Sequence, residues 1–319
     1  RCSRAAAFRQ DVVLVLRSPT MDEYTLIPSG KSLISMLHFP TRPGRVARLA
    51  ELGIKAISLD SIVNDTNLRL VENMKAVAWN GLDVAFSVLE KRWPGLHKPD
   101  GSPIRVVVIG TGMVGKHAVE AATKHGNDER NTAAIEANKG GVIAHAIGRS
   151  LVTRASAMEA LLRDADILVD AAQRRDPSKP IVPNAWLAWL PEHAVIADLA
   201  VDPYTPDTDP PVVRGVEGIP QGSLDQYVFE PNDANWSATI PADVPTTQRR
   251  IVVSCYSWPG IHPAACMRHY AQQLEPLLEP LLAKGYDGLS LEGGYFERAL
   301  CRATLRHWLD VGQTDFRAR

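Results

Sequence analysis

The segment Arg105–Gly115 (RVVVIGTGMVG) constrains this sequence more than any other. A run of β-branched residues leads into three glycines with GxGxxG spacing, at Gly110, Gly112 and Gly115. A stretch with helical character, residues 116–124, follows at once. The pattern therefore predicts a β-strand, a glycine turn and an α-helix in direct succession.

Each part of this turn suits the binding of a dinucleotide pyrophosphate. Gly110 permits the tight turn, Gly112 allows the backbone to approach the pyrophosphate, and Gly115 lets helix and strand pack closely. The helix N-terminus adds unpaired N–H groups and the positive end of the helix dipole. The predicted cofactor contacts are Gly110, Thr111, Gly112, Met113, Val114 and Gly115. The alternative is a glycine-rich turn that binds no ligand.

Charge and cysteine content exclude several classes of partner. The formal net charge of the 319 residues is −1, which gives no general attraction to nucleic acid or to an anionic membrane. No apolar run approaches the length of a membrane span. The four cysteines show neither a CxxC pair nor metal-ligand spacing with histidine. We therefore expect a cytoplasmic protein with reduced thiols, no metal and a small-molecule substrate.

Short apolar runs alternate with helical stretches along most of the chain, which indicates parallel sheets. The predicted strands are residues 11–16, 31–37, 54–59, 106–109, 142–147, 167–171 and 194–201. We predict an α/β fold of two Rossmann-like, doubly wound domains linked by long helices. The two domains are a discontinuous substrate domain, residues 1–92 plus 264–319, and a dinucleotide-binding domain, residues 93–263.

The predicted linking helices cover residues 72–91 and 264–282. Two Glu-Pro pairs, at residues 275–276 and 279–280, predict a kink or an early end in the second of them. Residues 254–263 (SCYSWPGIHP) lie between the last predicted strand and that helix. Their aromatic side chains suit either of two roles, the lining of a substrate pocket or the core of a hinge.

Four segments occur along the chain in an order that matches one family of enzymes. They are Leu14–Pro19 (LVLRSP), Met36–Pro40 (MLHFP), Arg105–Ala118 (RVVVIGTGMVGKHA) and Ile196–Pro203 (IADLAVDP). On these motifs the sequence resembles the alanine dehydrogenase/pyridine nucleotide transhydrogenase family, which includes saccharopine dehydrogenase-like members. The resemblance extends over most of the chain, and the glycine motif is its most specific part.

The family's opening strand, with its substrate-binding arginine, has no counterpart in this sequence. We therefore expect either that an N-terminal segment is missing from this chain or that the domain is trimmed. The resemblance implies hydride transfer between a nicotinamide cofactor and the C–N bond of an amino or imino acid, in a homo-oligomer.

Carried over by position, the family's substrate-binding and proton-transferring residues become Arg17, His38 and Asp202. Arg17 stands where the family has a lysine; arginine can hold a carboxylate bidentately but cannot act as a base. His38 suits proton transfer because an ordinary histidine titrates near neutrality. Asp202 either faces the cofactor or forms a turn before Pro203. Asp60 lies where the family often has a glutamate, and we interpret it as a turn former.

The sequence favours NADP over NAD. An NAD site usually has an acidic residue about 20 residues after the glycines, at the end of the second strand, to hold the ribose 2′-OH. That count reaches Asp128 and Glu129, which no apolar strand precedes. The predicted strand at 142–147 is instead followed by Arg149 and Ser150, and an arginine there suits a 2′-phosphate. If that strand is the third, Arg149 is a surface residue.

Three functions are compatible with these features. The first is an NAD(P)-dependent dehydrogenase of an amino or imino acid. The second is an opine-type reductive condensation of an amino acid with a 2-oxo acid, using the same cofactor. The third is a non-catalytic dinucleotide-binding protein. The arginine at position 17 favours this third function, whereas His38 and the intact glycine motif argue against it.

Overall fold

The computed structural model describes residues 2–137, 140–174, 176–205 and 211–311. The strands are β1 (Val12–Arg17), β2 (Ser32–Met36), β3 (Lys55–Ser58), β4 (Ile104–Ile109), β5 (Val142–Ile147), β6 (Ile167–Asp170), β7 (Val195–Asp198), β8 (Val228–Phe229) and β9 (Ile251–Ser254). The α-helices are α1 (Arg4–Phe8), α2 (Pro43–Glu51), α3 (Met74–Arg92), α4 (Met113–Thr123), α5 (Asp128–Glu136), α6 (Arg149–Val152), α7 (Ala155–Leu162), α8 (Pro263–Lys284), α9 (Tyr295–Arg302) and α10 (Leu305–Val311).

The chain divides into two compact units. Unit 1 comprises Arg1–Glu72 and Met267–Arg319, and unit 2 comprises Asn73–Cys266. The predicted boundary at residue 92 is corrected, because α3 belongs to unit 2. The buried face of α3 shares a hydrophobic cluster with strands of the unit 2 sheet, and it includes Ala78, Leu82, Ala85 and Phe86.

Unit 1 contains a three-stranded sheet in the order β1-β2-β3, with both pairs parallel. The central strand, β2, is buried on both faces, as expected for a parallel sheet covered by helices. Leu33 shares a cluster with Leu49 of α2, and its neighbour Ile34 shares another with Leu277 of α8. Successive side chains of a strand point to opposite faces, so these two clusters lie on the two sides of the sheet.

Helix α8 continues through both of its prolines to Lys284. The predicted early end is therefore wrong. Three leucines on one side of the helix, Leu274, Leu277 and Leu281, are buried in the unit 1 core. Burial of three leucines contributes several kcal/mol, which offsets the backbone hydrogen bonds that proline removes.

Unit 2 contains a six-stranded sheet in the order β5-β4-β6-β7-β9-β8, parallel except for the short edge strand β8. Val106 of β4 shares a core cluster with Leu82 of α3, while its neighbour Val107 shares a cluster on the other face with Leu162 of α7. The chain moves outward from β4 in one direction to β5 and in the other to β6. The strand order therefore reverses between β4 and β6, the place where ligands bind in doubly wound sheets.

The predicted α/β fold with parallel sheets is confirmed. Trp258, from the aromatic segment after β9, is buried in the unit 2 core, and its indole N–H donates to the carbonyl of Asp198 at 2.8 Å.

Within the described ranges, no helix combines the length and apolar character needed to cross a membrane. In the same ranges no three histidine, cysteine or acidic side chains come together as a metal site. All four cysteines are free.

The glycine turn gives a matched pair of stability predictions. A β-carbon at residue 115 would lie 2.1 Å from the carbonyl oxygen of Gly110, far inside van der Waals contact. We expect Gly115→Ala to lower the free energy of unfolding by about 1–3 kcal/mol, as overpacking does. In urea unfolding, Gly112→Ser is the control: no atom lies within 4 Å of the added β-carbon, and serine is a favourable N-cap. Equal stability losses in both variants would contradict this packing role for Gly115.

Candidate functional site

The glycine turn lies at the carboxyl end of β4, where the strand order reverses. Gly110 has φ +107°, and a β-carbon there would lie 2.5 Å from the carbonyl oxygen of Ala171, so only glycine fits. Gly115 packs so closely on the carbonyl of Gly110 that a β-carbon does not fit there either. Gly112 differs from both: it has an ordinary φ of −74°, it is the N-cap of α4, and a β-carbon there would meet no atom within 4 Å.

This geometry leaves an open approach to the N-terminus of α4. Thr111, Gly112 and Met113 are exposed, whereas Gly115 is buried beneath them. The N-terminal N–H groups of an α-helix have no partners within the helix and favour an anion. The turn therefore fits the pyrophosphate of a dinucleotide, because its backbone is accessible where close approach is required.

The structure resolves the position of Arg149. Strand β5 pairs directly with β4 over all six residues, so it is the second strand of the sheet and not the third. Arg149 is the first residue of α6 immediately after β5; Arg149 and Ser150 are both exposed. The guanidinium lies 3.4 Å from the carbonyl of Gln173, in the segment that follows β6. Asp128 and Glu129 instead begin helix α5, so neither ends a strand.

A cluster of charged residues lies at the carboxyl ends of the strands beside the glycine turn. β6, β7 and β9 end in three buried polar residues, Asp170, Asp198 and Ser254. The Ser254 hydroxyl donates to Asp198 at 2.8 Å, and the buried Arg214 pairs with Asp198 and donates to Ser254 at 2.9 Å. Breaking such a buried pair typically costs about 3–5 kcal/mol, so these contacts fix the ends of β7 and β9.

Asp170 is the strongly perturbed acid of this cluster. Burial, with a smaller contribution from the neighbouring Asp202, raises the pKa of Asp170 to about 6, although the hydrogen bond from the Ala172 N–H at 3.1 Å opposes the rise. Ala171, the next residue, contacts the glycine turn. Sequence reasoning missed Asp170; the only available signal was an acid at the end of an apolar strand.

Asp202 lies in unit 2 and is held by an ion pair. Arg174 donates to its carboxylate at 2.8 Å, and the Arg174 side chain is itself only 5% exposed. Arg174 also donates to the carbonyls of Pro177 and Lys179 at 3.0 and 2.9 Å. The carboxylate of Asp202 is thus fixed by a buried guanidinium that the surrounding loop holds in place. This differs from the turn-forming alternative, in which the side chain would bond its own backbone.

In unit 1, His38 is held by a buried carboxylate. Its Nδ1 lies 3.2 Å from Asp60 Oδ2, and its backbone N–H donates to Asp60 Oδ1 at 3.1 Å. His38 has φ +52°, a left-handed conformation that is rare for residues other than glycine. The side chain of Asp60 is 6% exposed and that of His38 51% exposed, so the imidazole bridges a buried acid and the surface.

Asp60 is therefore more than a turn former. Burial alone would raise its pKa, but hydrogen bonds from His38 and from the Ser58 hydroxyl, which donates at 2.8 Å, hold that pKa well below its ordinary range. An ionised Asp60 can accept a hydrogen bond from a protonated Nδ1 of His38, and Nε2 is then the ring nitrogen left for another partner. The signal for this role was the family position of Asp60.

Arg17 lies beside His38 within unit 1. It is the exposed last residue of β1, and its backbone is paired with Met36, two residues before His38. The structure thus brings Arg17 and His38 to the carboxyl ends of neighbouring parallel strands. Asp202 and the glycine turn belong to unit 2.

Comparison of the sequence with known proteins finds a matching family model and matching individual relatives. Residues 94–204 match the family model described as alanine dehydrogenase/PNT, C-terminal domain. Alanine dehydrogenase of Bacillus subtilis is 24% identical over 205 residues, which are 60% of this chain and 53% of that protein. Alanine dehydrogenase of Halomonas elongata is 23% identical over 206 residues, with 60% and 54% covered. The match thus spans about half the length of these relatives.

Solved structures agree on the fold. An L-alanine dehydrogenase superposes with a TM-score of 0.64 at 20% identity, covering 95% of this chain and 78% of that one. A transhydrogenase from Sinorhizobium meliloti superposes with a TM-score of 0.58 at 17% identity, covering 93% and 80%. The resemblance predicted from the sequence motifs is confirmed, and the chain is related to the alanine dehydrogenase/pyridine nucleotide transhydrogenase family through the domain at residues 94–204.

Proposed function

We propose that this chain is an NAD(P)-dependent oxidoreductase that acts on the C–N bond of an amino or imino acid. The observation that carries the proposal is the glycine turn, whose open backbone at Gly112 lies at the strand-order reversal of a domain related to alanine dehydrogenases. A dinucleotide held there would supply the hydride, and the protein would supply binding, orientation and proton transfer.

Unit 2 would hold the cofactor. The pyrophosphate would lie against the N–H groups at the start of α4, between Gly110 and Val114. Arg149 and Ser150 follow the second strand, where a dinucleotide-binding domain meets the adenosine ribose. An arginine in that place favours a 2′-phosphate, so NADP is the cofactor we propose first and NAD the alternative.

Unit 1 would supply substrate binding and proton transfer. Arg17 presents a guanidinium that suits a substrate carboxylate, and Nε2 of His38 would accept or return the proton. Asp60 would keep the imidazole in the tautomer with its proton on Nδ1. Asp202 would contribute a carboxylate whose position its ion pair with Arg174 fixes.

The first test is activity. Oxidation of NADPH, and separately of NADH, is followed with a panel of 2-oxo acids in the presence of ammonia or of primary amines. Turnover with ammonia supports a dehydrogenase. Turnover that requires an amino acid as the amine supports the opine-type reaction instead. Binding of the cofactor without any turnover would leave the non-catalytic alternative. A homo-oligomer, which the family resemblance implies, stays a prediction.

Replacing Gly112 separates binding from folding. Gly112→Val adds a side chain to open space, so the fold is retained, but the added atoms occupy the place proposed for the pyrophosphate. We expect calorimetry to show loss of NAD(P)H binding in a protein with an unchanged circular dichroism spectrum. Wild-type affinity in the folded variant would remove the glycine turn from the site.

Replacing Arg149 tests cofactor choice. A guanidinium–phosphate contact is charge-assisted, so Arg149→Ala should weaken NADPH binding about tenfold or more and change NADH binding little. The matched control is Arg163→Ala, which removes a surface arginine with a 61% exposed side chain and should affect neither cofactor. Equal losses for NADPH and NADH would remove Arg149 from recognition of the 2′-phosphate.

Replacing His38 and Asp60 tests proton transfer. His38→Ala should lower turnover by about 10²–10⁴ while the affinity for NAD(P)H stays near that of the wild type. Asp60→Asn should lower kcat with little change in KM, because it frees the imidazole to adopt the other tautomer. Arg17→Ala should act mainly on KM. A His38→Ala enzyme with wild-type turnover would contradict the assignment.

A further inference from the structure

A cavity lies at the amino end of the unit 2 sheet. Its volume is about 260 Å³, and it is lined by α3 and by the residues that lead into and begin β7 and β9. Four aliphatic side chains form its apolar part, namely Val88, Leu89, Val195 and Ile251. Three of these four, Val88, Leu89 and Val195, are buried and give the cavity a fixed apolar floor.

Two opposite charges line the same cavity without pairing. Arg92, at the C-terminus of α3, and Glu192, just before β7, are both exposed lining residues. Among the described residues, neither side chain has an oppositely charged group within 4.0 Å, so they do not pair with each other. Arg250 interacts electrostatically with Glu192 without forming an ion pair within 4.0 Å, and its guanidinium donates to the carbonyls of Leu190, Pro191 and Arg249.

The third polar lining residue, His193, is held in a fixed orientation. Its Nε2 lies 2.9 Å from a carboxylate oxygen of the buried Asp166, and its ring packs on Trp93 with 4.6 Å between centroids. Asp166 also accepts from the Lys98 ammonium at 3.1 Å and from the Arg105 N–H at 2.7 Å. Because Asp166 is the acceptor, Nε2 of His193 is the nitrogen that donates, and in the neutral tautomer with its proton on Nε2 the Nδ1 atom is a hydrogen-bond acceptor.

The cavity is distinct from the glycine turn. It lies at the amino ends of strands whose carboxyl ends carry Asp198 and Ser254. Four residues of strand span about 13 Å, so the two places lie at opposite edges of one sheet. Ligands of doubly wound folds bind at the carboxyl edge. The amino-edge cavity therefore does not belong to the dinucleotide site.

We propose that this cavity binds a free aliphatic α-amino acid. The Arg92 guanidinium would hold the carboxylate, and Glu192 with Nδ1 of His193 would accept from the ammonium group. The aliphatic side chain would pack on the Val88, Leu89 and Val195 floor. A volume of about 260 Å³ has room for an amino acid of the size of leucine.

The test is calorimetric titration of the full chain with three probes of one shape. L-leucine carries both charges, 4-methylpentanoate lacks the amine, and 3-methylbutylamine lacks the carboxylate. We expect saturable one-to-one binding of leucine and at least tenfold weaker binding of each singly charged probe. Arg92→Ala and Glu192→Ala should each weaken leucine about tenfold or more, because each removes a charge-assisted contact at the surface of a folded protein. Arg163→Ala is the matched control and should bind normally.

The double variant Arg17→Ala/His38→Ala separates this site from the proposed substrate site. Leucine binding that persists in the double variant and is lost in Arg92→Ala supports the cavity, whether or not the protein has dehydrogenase activity. Three results would overturn the proposal: no saturable binding of leucine, loss of binding in the double variant, or unchanged affinity in Arg92→Ala or Glu192→Ala. Equal affinity for 4-methylpentanoate would be a fourth such result, since the ammonium would then contribute nothing.

Discussion

The contact between the carbonyl of Gly110 and the α-carbon of Gly115 is the constraint on which unit 2 depends. A β-carbon at residue 115 would lie 2.1 Å from that oxygen. The first turn of α4 therefore packs directly on the end of β4, and this places Gly112 outward with open space around it. Gly110 packs closely against Ala171, which follows β6. The glycine turn and the end of β6 therefore lie side by side at the same edge of the sheet.

Both units hold polar side chains near the carboxyl ends of their strands by the same means. In each unit a buried acid fixes the groups around it through hydrogen bonds or ion pairs. In unit 1 the acid is Asp60, which holds His38 by its ring and by its backbone. In unit 2 Asp198 holds Arg214 and Ser254, and the neighbouring Asp170 has its pKa raised by burial. Burying these acids is costly, and their hydrogen bonds and ion pairs offset that cost.

Much of the fold could be predicted because its signals are local. Apolar strands, the glycine spacing and the resulting strand–turn–helix unit depend on residues close in sequence. The role of Asp60 could not be predicted from its own surroundings, because its partner is 22 residues away. The domain boundary depended on which unit's sheet buries the apolar face of α3. The continuation of α8 through Pro276 depended on burial of its leucines in the unit 1 core. Neither is a local property.

We propose that a nicotinamide dinucleotide binds across the glycine turn at the start of α4. Hydrogen exchange of the full chain, measured with and without saturating NADPH, tests this directly by locating the protected amides. We expect slower exchange across residues 110–116 and at the start of α6, with unchanged exchange in the amino-edge cavity. Unchanged exchange at residues 110–116 in the presence of saturating NADPH would contradict it.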